Sequence, residues 1–143
     1  MEPYLDTSAL AKWYLNEPLS ERFESFIREQ SSAAISRLTV VEFRCLLARR
    51  RRTREITKSI ESRVYASFEE DVRAGSLQVY PVADEHVIAA LKLITRLGRH
   101  PLRTLDALHL AIAQSIHCQL LATAERTMAD TGKAIGLSVA RFF

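Results

Sequence analysis

The sequence predicts an α/β fold, a parallel sheet covered by helices on both faces. Three observations predict it. Short apolar, β-favouring runs alternate along the chain with longer stretches whose apolar residues recur at helical spacing. No repeat, low-complexity linker or composition break divides the chain, so one domain spanning 1–143 is expected. With 143 residues, 48% hydrophobic and 26% charged, the chain is long enough for a sizeable core and ordinary in its balance.

The elements follow in order. Residues 3 to 6 read as a short first strand, and Thr7 or Ser8 can cap the helix that carries Ala9, Leu10, Trp13 and Tyr14. Glu17-Pro18 breaks that helix. Ser20 to Gln30 is amphipathic, with Phe23, Phe26 and Ile27 on one side. Ser32 to Ser36 is a second strand. A helix is expected from about Thr39 into the basic run, although Thr39-Val40-Val41 alone favours a strand.

Glu55 to Ala74 places Ile56, Ile60, Val64 and Phe68 four apart, ending at Gly75. Residues 49–75 thus read as an outlying helical arm. Leu77 to Val82 is a third strand, and Asp84 reads as the N-cap of a helix that Gly98 ends. Thr104 opens a helix apolar on most sides, hence central. Gln119 to Thr123 is a fourth strand, Glu125 to Ile135 a helix closed by Gly136, and Leu137 to Phe142 a last strand.

Net charge is +3, too mild to demand a polyanionic partner, but Arg49, Arg50, Arg51, Arg52 and Arg54 are clumped. Such a run is usually a solvated helix end; it can also grip phosphates. Cys45 and Cys118 form no CxxC or zinc spacing and read as buried free thiols, which suits a reducing cytoplasm. Glu2 and Asp6 interrupt any signal-peptide pattern, and no apolar run approaches the roughly 20 residues of a membrane span.

Among 17 acidic residues, three sit in apolar surroundings: Asp6 after Tyr4-Leu5, Glu42 between Val41 and Phe43, and Asp106 between Leu105 and Ala107. An unpaired buried carboxylate costs several kcal/mol, on the order of the penalty per buried ion. Local bases are few, so a shared divalent cation is one solution. Mg²⁺ and Mn²⁺ take oxygen ligands, and such an ion can activate water against a phosphodiester. Parallel sheets place their sites at the carboxyl ends of strands, where Asp6 lies. Thr123-Ala124-Glu125 ends another strand, which makes Glu125 a fourth candidate.

Four stretches together carry a family likeness: Tyr4-Leu5-Asp6-Thr7-Ser8-Ala9-Leu10, Leu38-Thr39-Val40-Val41-Glu42-Phe43, Leu105-Asp106-Ala107-Leu108-His109-Leu110-Ala111 and Leu121-Ala122-Thr123-Ala124-Glu125-Arg126. In order and spacing the chain resembles the PIN-domain ribonucleases, and among them the VapC toxins of toxin–antitoxin pairs. The resemblance implies a three-layer α/β/α fold with a mostly parallel sheet. It implies Mg²⁺- or Mn²⁺-dependent endonuclease action on RNA, leaving 5′-phosphate and 3′-hydroxyl ends. The family's acids fall on Asp6, Glu42 and Asp106; its fourth is usually aspartate, and Glu125 stands here instead. Thr7 and Ser8 fall on the hydroxyls that follow the first acid, and Ser8 matches one that supports the metal or its waters. The resemblance also implies a homodimer wrapped by a cognate antitoxin protein.

Plainer roles stand beside these. Asp6 can be an N-cap, Glu42 half of an ion pair with Arg37 or Arg44, and Asp106 and Glu125 helix-start acids. His109, three residues after Asp106, reads as a packed core histidine, with orientation of a carboxylate or contact with RNA as the alternatives. Two functions result: a metal-dependent endoribonuclease toxin, or a non-catalytic PIN-like module that binds RNA or protein. An aspartyl phosphatase fits less well, because Ser8 stands where a second acid is wanted.

Overall fold

The computed structural model describes residues 2–143. The chain runs β1 (Tyr4–Leu5), α1 (Thr7–Tyr14), α2 (Ser20–Arg28), β2 (Ala33–Ser36), α3 (Arg37–Arg52), α4 (Lys58–Arg73), β3 (Leu77–Tyr80), α5 (Asp84–Arg96), α6 (Thr104–Ser115), β4 (Leu120–Thr123), α7 (Arg126–Ala134) and β5 (Ser138–Arg141). The strands form one sheet in the order β3-β2-β1-β4-β5. Every pairing is parallel, where the resemblance implied a mostly parallel sheet.

The pleat explains the three layers. Successive strand residues face opposite sides. Leu5, Ala33, Ile35 and Ala122 pack with Leu10, Phe23, Phe43, Leu47 and Phe68 of α1 to α4. Their neighbours Tyr4, Ala34 and Leu121 pack with Leu93, Leu110, Ile112 and Met128 of α5 to α7. The central strands β1, β2 and β4 therefore feed two cores, one per face, and are buried as in parallel sheets, while the edge strands β3 and β5 are partly exposed.

Helix starts depart from expectation where side chains cap them. Ser36 accepts the Thr39 N–H at 3.4 Å while its own N–H donates to Thr39 Oγ1 at 3.2 Å. This reciprocal cap starts α3 at Arg37, two residues before the expected Thr39. Asp84 is the first residue of α5 and not its N-cap. The cap is made from behind: the Ala83 N–H donates to His86 Nδ1 at 2.8 Å, and His86 Nε2 pairs with Ser115 Oγ at 2.9 Å, which ties α5 to α6.

The helical pair expected at 49–75 takes the form of a hairpin of α3 and α4 laid against the first layer. Phe68 of α4 is buried, its ring 5.3 Å from that of Phe43 and 5.8 Å from that of Tyr14. Arg44 of α3 donates to Glu61 of α4 at 3.0 Å. The expectation of two buried thiols is overturned: Cys118 is buried but Cys45 is exposed, because it lies on the side of α3 that faces an open cleft, away from the buried Phe43 and Leu47.

Close packing of α7 on the sheet rests on Gly132. A Cβ there would stand 2.7 Å from Leu121 Cδ2 and 3.4 Å from Val139 Cγ2, and Leu121 is fully buried. Gly132→Ala gains about 1 kcal/mol of helix propensity but overpacks the core by about 1–3 kcal/mol. The melting temperature is expected to fall by several degrees in a thermal melt; an unchanged or raised value would mean that α7 rides loosely on β4 and β5.

Candidate active site

Chain order determines where a cleft can open. β2 and β3 lie to one side of β1, β4 and β5 to the other, so the winding reverses between β1 and β4. Ligand sites in such sheets lie at this reversal, outside the carboxyl ends of the strands. Asp6 follows β1, and Thr123 ends β4 beside it.

Asp6 is the N-cap of α1, accepting the Ala9 N–H at Oδ1 at 2.9 Å, so the plain role proposed for it is real. It also does more. Ser8 donates to Oδ1 at 2.6 Å and Thr123 donates to Oδ2 at 2.5 Å. Ser8 Oγ in turn accepts the Ala124 N–H at 2.9 Å, and Thr123 Oγ1 accepts the Glu125 N–H at 3.0 Å. Each hydroxyl takes a backbone proton from the β4–α7 loop and aims its own at the carboxylate. Burial, at 3% exposure, still pushes the Asp6 carboxyl above its usual range, against the lowering effect of these donors and of His109.

Glu42, on α3, is half-buried and not enclosed by apolar side chains as expected, since its neighbour Val41 faces solvent. Its partner is neither Arg37 nor Arg44. Thr7 donates to Oε1 at 2.7 Å and His109 Nε2 lies 2.5 Å from the same oxygen. Burial pushes the Glu42 carboxyl up, but the His109 hydrogen bond and charge, with the Thr7 hydroxyl, outweigh it and hold it below the usual carboxylate range.

Asp106 lies in the first turn of α6 and accepts the Arg103 N–H at 3.3 Å, the helix-start role read from sequence. Glu125 is the N-cap residue of α7. Burial pushes its carboxyl up, and the negative charges of Asp6, Asp106 and Glu42 push it further, with Arg103 opposing. The four acids named from sequence thus share one electrostatic neighbourhood.

A cleft of about 930 Å³ opens here, lined by Glu42, Asp106 and Glu125 with Thr7 and Ser8. Cys45, Leu46, Ile94, Leu102 and Leu105 supply its apolar wall, and Arg49 and Arg103 its positive charge. The donor set is all oxygen and carries excess negative charge, which suits a hard divalent cation. Among the described residues no three His, Cys, Asp or Glu side chains are gathered tightly enough to hold an ion as they stand. Each is drawn to its own partner: Asp6 to two hydroxyls, Glu42 to His109, Asp106 to a helix start.

The arginine run divides. Arg49 lines the cleft. Arg50 pairs with Glu17 and, at 3.3 Å, with Glu55; Arg51 lies 3.7 Å from Glu61. Arg52 is exposed. Two residues near the site carried too little signal in the sequence, Tyr4 and Thr123, while His109 takes the carboxylate-contacting alternative and not that of a merely packed histidine. Their partners lie up to 117 positions away, beyond any local pattern.

An acidic cleft at the winding reversal of a parallel α/β/α sandwich defines the class of domain. Residues 4–134 match the family model described as PIN domain, and the chain belongs to that family. No curated protein matches the chain. Solved structures do. A Mycobacterium tuberculosis VapC20, described as a sarcin–ricin loop cleaving toxin, is 15% identical, with 92% of this chain and 95% of that one covered at a TM-score of 0.73. The DNA-bound VapBC of Salmonella typhimurium is 20% identical over 100% of both chains at a TM-score of 0.68. VapBC2 of Rickettsia felis, bound to a promoter DNA fragment, is 13% identical over 100% of both at 0.70. At such identities the likeness is one of fold. No helix among the described residues is long and apolar enough to cross a membrane.

Proposed function

We propose that this chain is a divalent-metal-dependent endoribonuclease, the toxin of a type II toxin–antitoxin pair. The observation that carries the proposal is the convergence of Glu42, Asp106 and Glu125 on one cleft at the winding reversal, with Asp6 buried against Ser8 of its lining: carboxylates so gathered repel one another, and a bound cation relieves that repulsion. Asp6, Glu42, Asp106 and Glu125 would hold Mg²⁺ or Mn²⁺, which supplies Lewis-acid activation of water and steadies charge on the phosphodiester. The chain's own groups do the rest. Ser8 and Thr123 keep both Asp6 oxygens oriented and oppose the cost of burying their charge. Arg49 and Arg103, on the cleft wall, meet the phosphates that flank the scissile bond. The apolar wall excludes water on one side.

The surface supports a second copy of the chain and an antitoxin as partners. Val87, Ile88, Leu91 and Ile94 form an exposed apolar stripe on α5, continued by Leu105 of α6, and a second copy of the chain would bury it. An antitoxin with a basic side chain fits the acidic cleft beside that stripe. The test is cleavage of RNA with Mg²⁺ or Mn²⁺ and with a chelator. Cleavage is expected only with metal, and equal cleavage under chelation would sink the mechanism.

A second reading has one observation in its favour. Asp6, Glu42 and Asp106 each already serve a structural hydrogen bond, as a non-catalytic RNA- or protein-binding module would require. Mn²⁺ calorimetry separates the two: absence of metal binding, with a fold stabilised by removing Glu42, favours the module.

A further inference from the structure

We infer that His109 is a positioning residue for Glu42, the end of a buried hydrogen-bond chain that ties together the three elements carrying the acids. The inference rests on the nuclease reading above. His109 is 3% exposed, and both ring nitrogens are engaged. Nε2 lies 2.5 Å from Glu42 Oε1, and Nδ1 lies 2.7 Å from the Tyr4 hydroxyl. That hydroxyl lies 3.0 Å from Ser36 Oγ.

The chemistry of the chain is constrained at both ends. A carboxylate only accepts, so Nε2 donates to Glu42. Tyr4 is fully buried, and its hydroxyl bridges Nδ1 and Ser36 Oγ. The Tyr4 and His109 rings meet edge-on with centroids 5.8 Å apart, which locks the imidazole plane. A histidine placed only for packing would not need two polar partners matched to its two nitrogens.

The connectivity carries the argument further. Tyr4 lies on β1, two residues before Asp6. His109 lies on α6, three residues after Asp106. Ser36 caps α3, the helix of Glu42. One chain of side chains therefore registers Asp6, Asp106 and Glu42 against one another from behind. Thr7 and His109 both hold Oε1, and Oε2 has no hydrogen-bond partner among the described residues, so it is the oxygen left for the cleft. A glutamate has three side-chain torsions and loses considerable rotamer freedom when fixed. His109 pays that cost before any ligand arrives, as partners behind a metal ligand commonly do.

The test uses His109→Leu, His109→Gln and Tyr4→Phe in the full chain. His109→Gln keeps a donor toward Glu42; Tyr4→Phe leaves the imidazole and removes its anchor, and serves if His109→Leu fails to fold. Without metal, the ¹³C signal of the Glu42 carboxylate is expected to shift in His109→Leu and to return most of the way in His109→Gln. Mn²⁺ titration by calorimetry is expected to show affinity weakened about 10–100-fold in His109→Leu, partly restored in His109→Gln. The RNA KM should stay near wild type while kcat falls. An unmoved Glu42 signal, or Mn²⁺ affinity in His109→Leu equal to wild type, overturns the positioning role. Wild-type protein that binds no Mn²⁺ and cuts no RNA overturns the nuclease reading instead, and the carboxylate signal still reports whether His109 holds Glu42.

Discussion

Asp6→Asn is expected to abolish RNA cleavage and at the same time to raise the melting temperature. The loss follows from removing a charged ligand beside the cleft; activity should fall about 10²–10³-fold, as removal of a central electrostatic group does. The gain follows from burial. Asp6 is raised despite three donors, so its ionised form is under-compensated in the fold. Asparagine keeps an acceptor for Ser8 and Ala9 and carries no charge to desolvate. Relief of about 1–2 kcal/mol is the usual scale for undoing an active-site compromise.

The sign can be checked with pH. A carboxyl whose folded pKa lies above its unfolded value, 3.8 for Asp6, binds protons more tightly when folded. Stability then falls as pH rises from about that value through the raised folded pKa. The advantage of Asp6→Asn should therefore be largest near neutral pH and vanish as pH approaches 3.8 from above. Glu42 runs the other way. Its folded pKa is lowered, so its contribution is present above its unfolded 4.5 and lost as pH falls through the folded value, and both proteins share that loss. Thermal melts of the two proteins across this range decide the matter. An advantage that does not change with pH would mean that the buried charge is not its source.

Divalent metal is expected to undo the same penalty in the wild type. An ion that binds only the folded state adds about 2.7 kcal/mol at 100 times its Kd. For a chain of this size that raises the melting temperature by roughly 5–10 °C. The repulsion that adds to burial in raising Glu125 should be relieved together with the burial cost of Asp6. In Asp6→Asn the shift should shrink to a degree or less. Scanning fluorimetry with Mg²⁺, Mn²⁺ and chelator measures both. A wild type that melts alike in all three would remove the cation from the site, and with it the reason for three acids to line a cleft with Asp6 buried beside it.

What the sequence by itself determined is the order and type of the elements and which acids stand apart. Apolar periodicity marks helices and strands locally, so the boundaries fall within a few residues of those observed, and Asp6, Glu42, Asp106 and Glu125 are legible as acids at element ends or in apolar runs. Tertiary structure decided the rest. Strand order is set by pairings between residues far apart in the chain, and only the β1–β4 pairing brings Thr123 against Asp6 across 117 positions. Which arginines are consumed by ion pairs, why Cys45 faces out, and why His109 sits between Tyr4 and Glu42 depend on helix rotation against the sheet. A periodic pattern names the face a helix buries but not the side chain it meets there. The physical reason is that hydrophobic burial is non-directional and readable in one dimension, whereas a hydrogen-bond partner is a matter of ångströms in three.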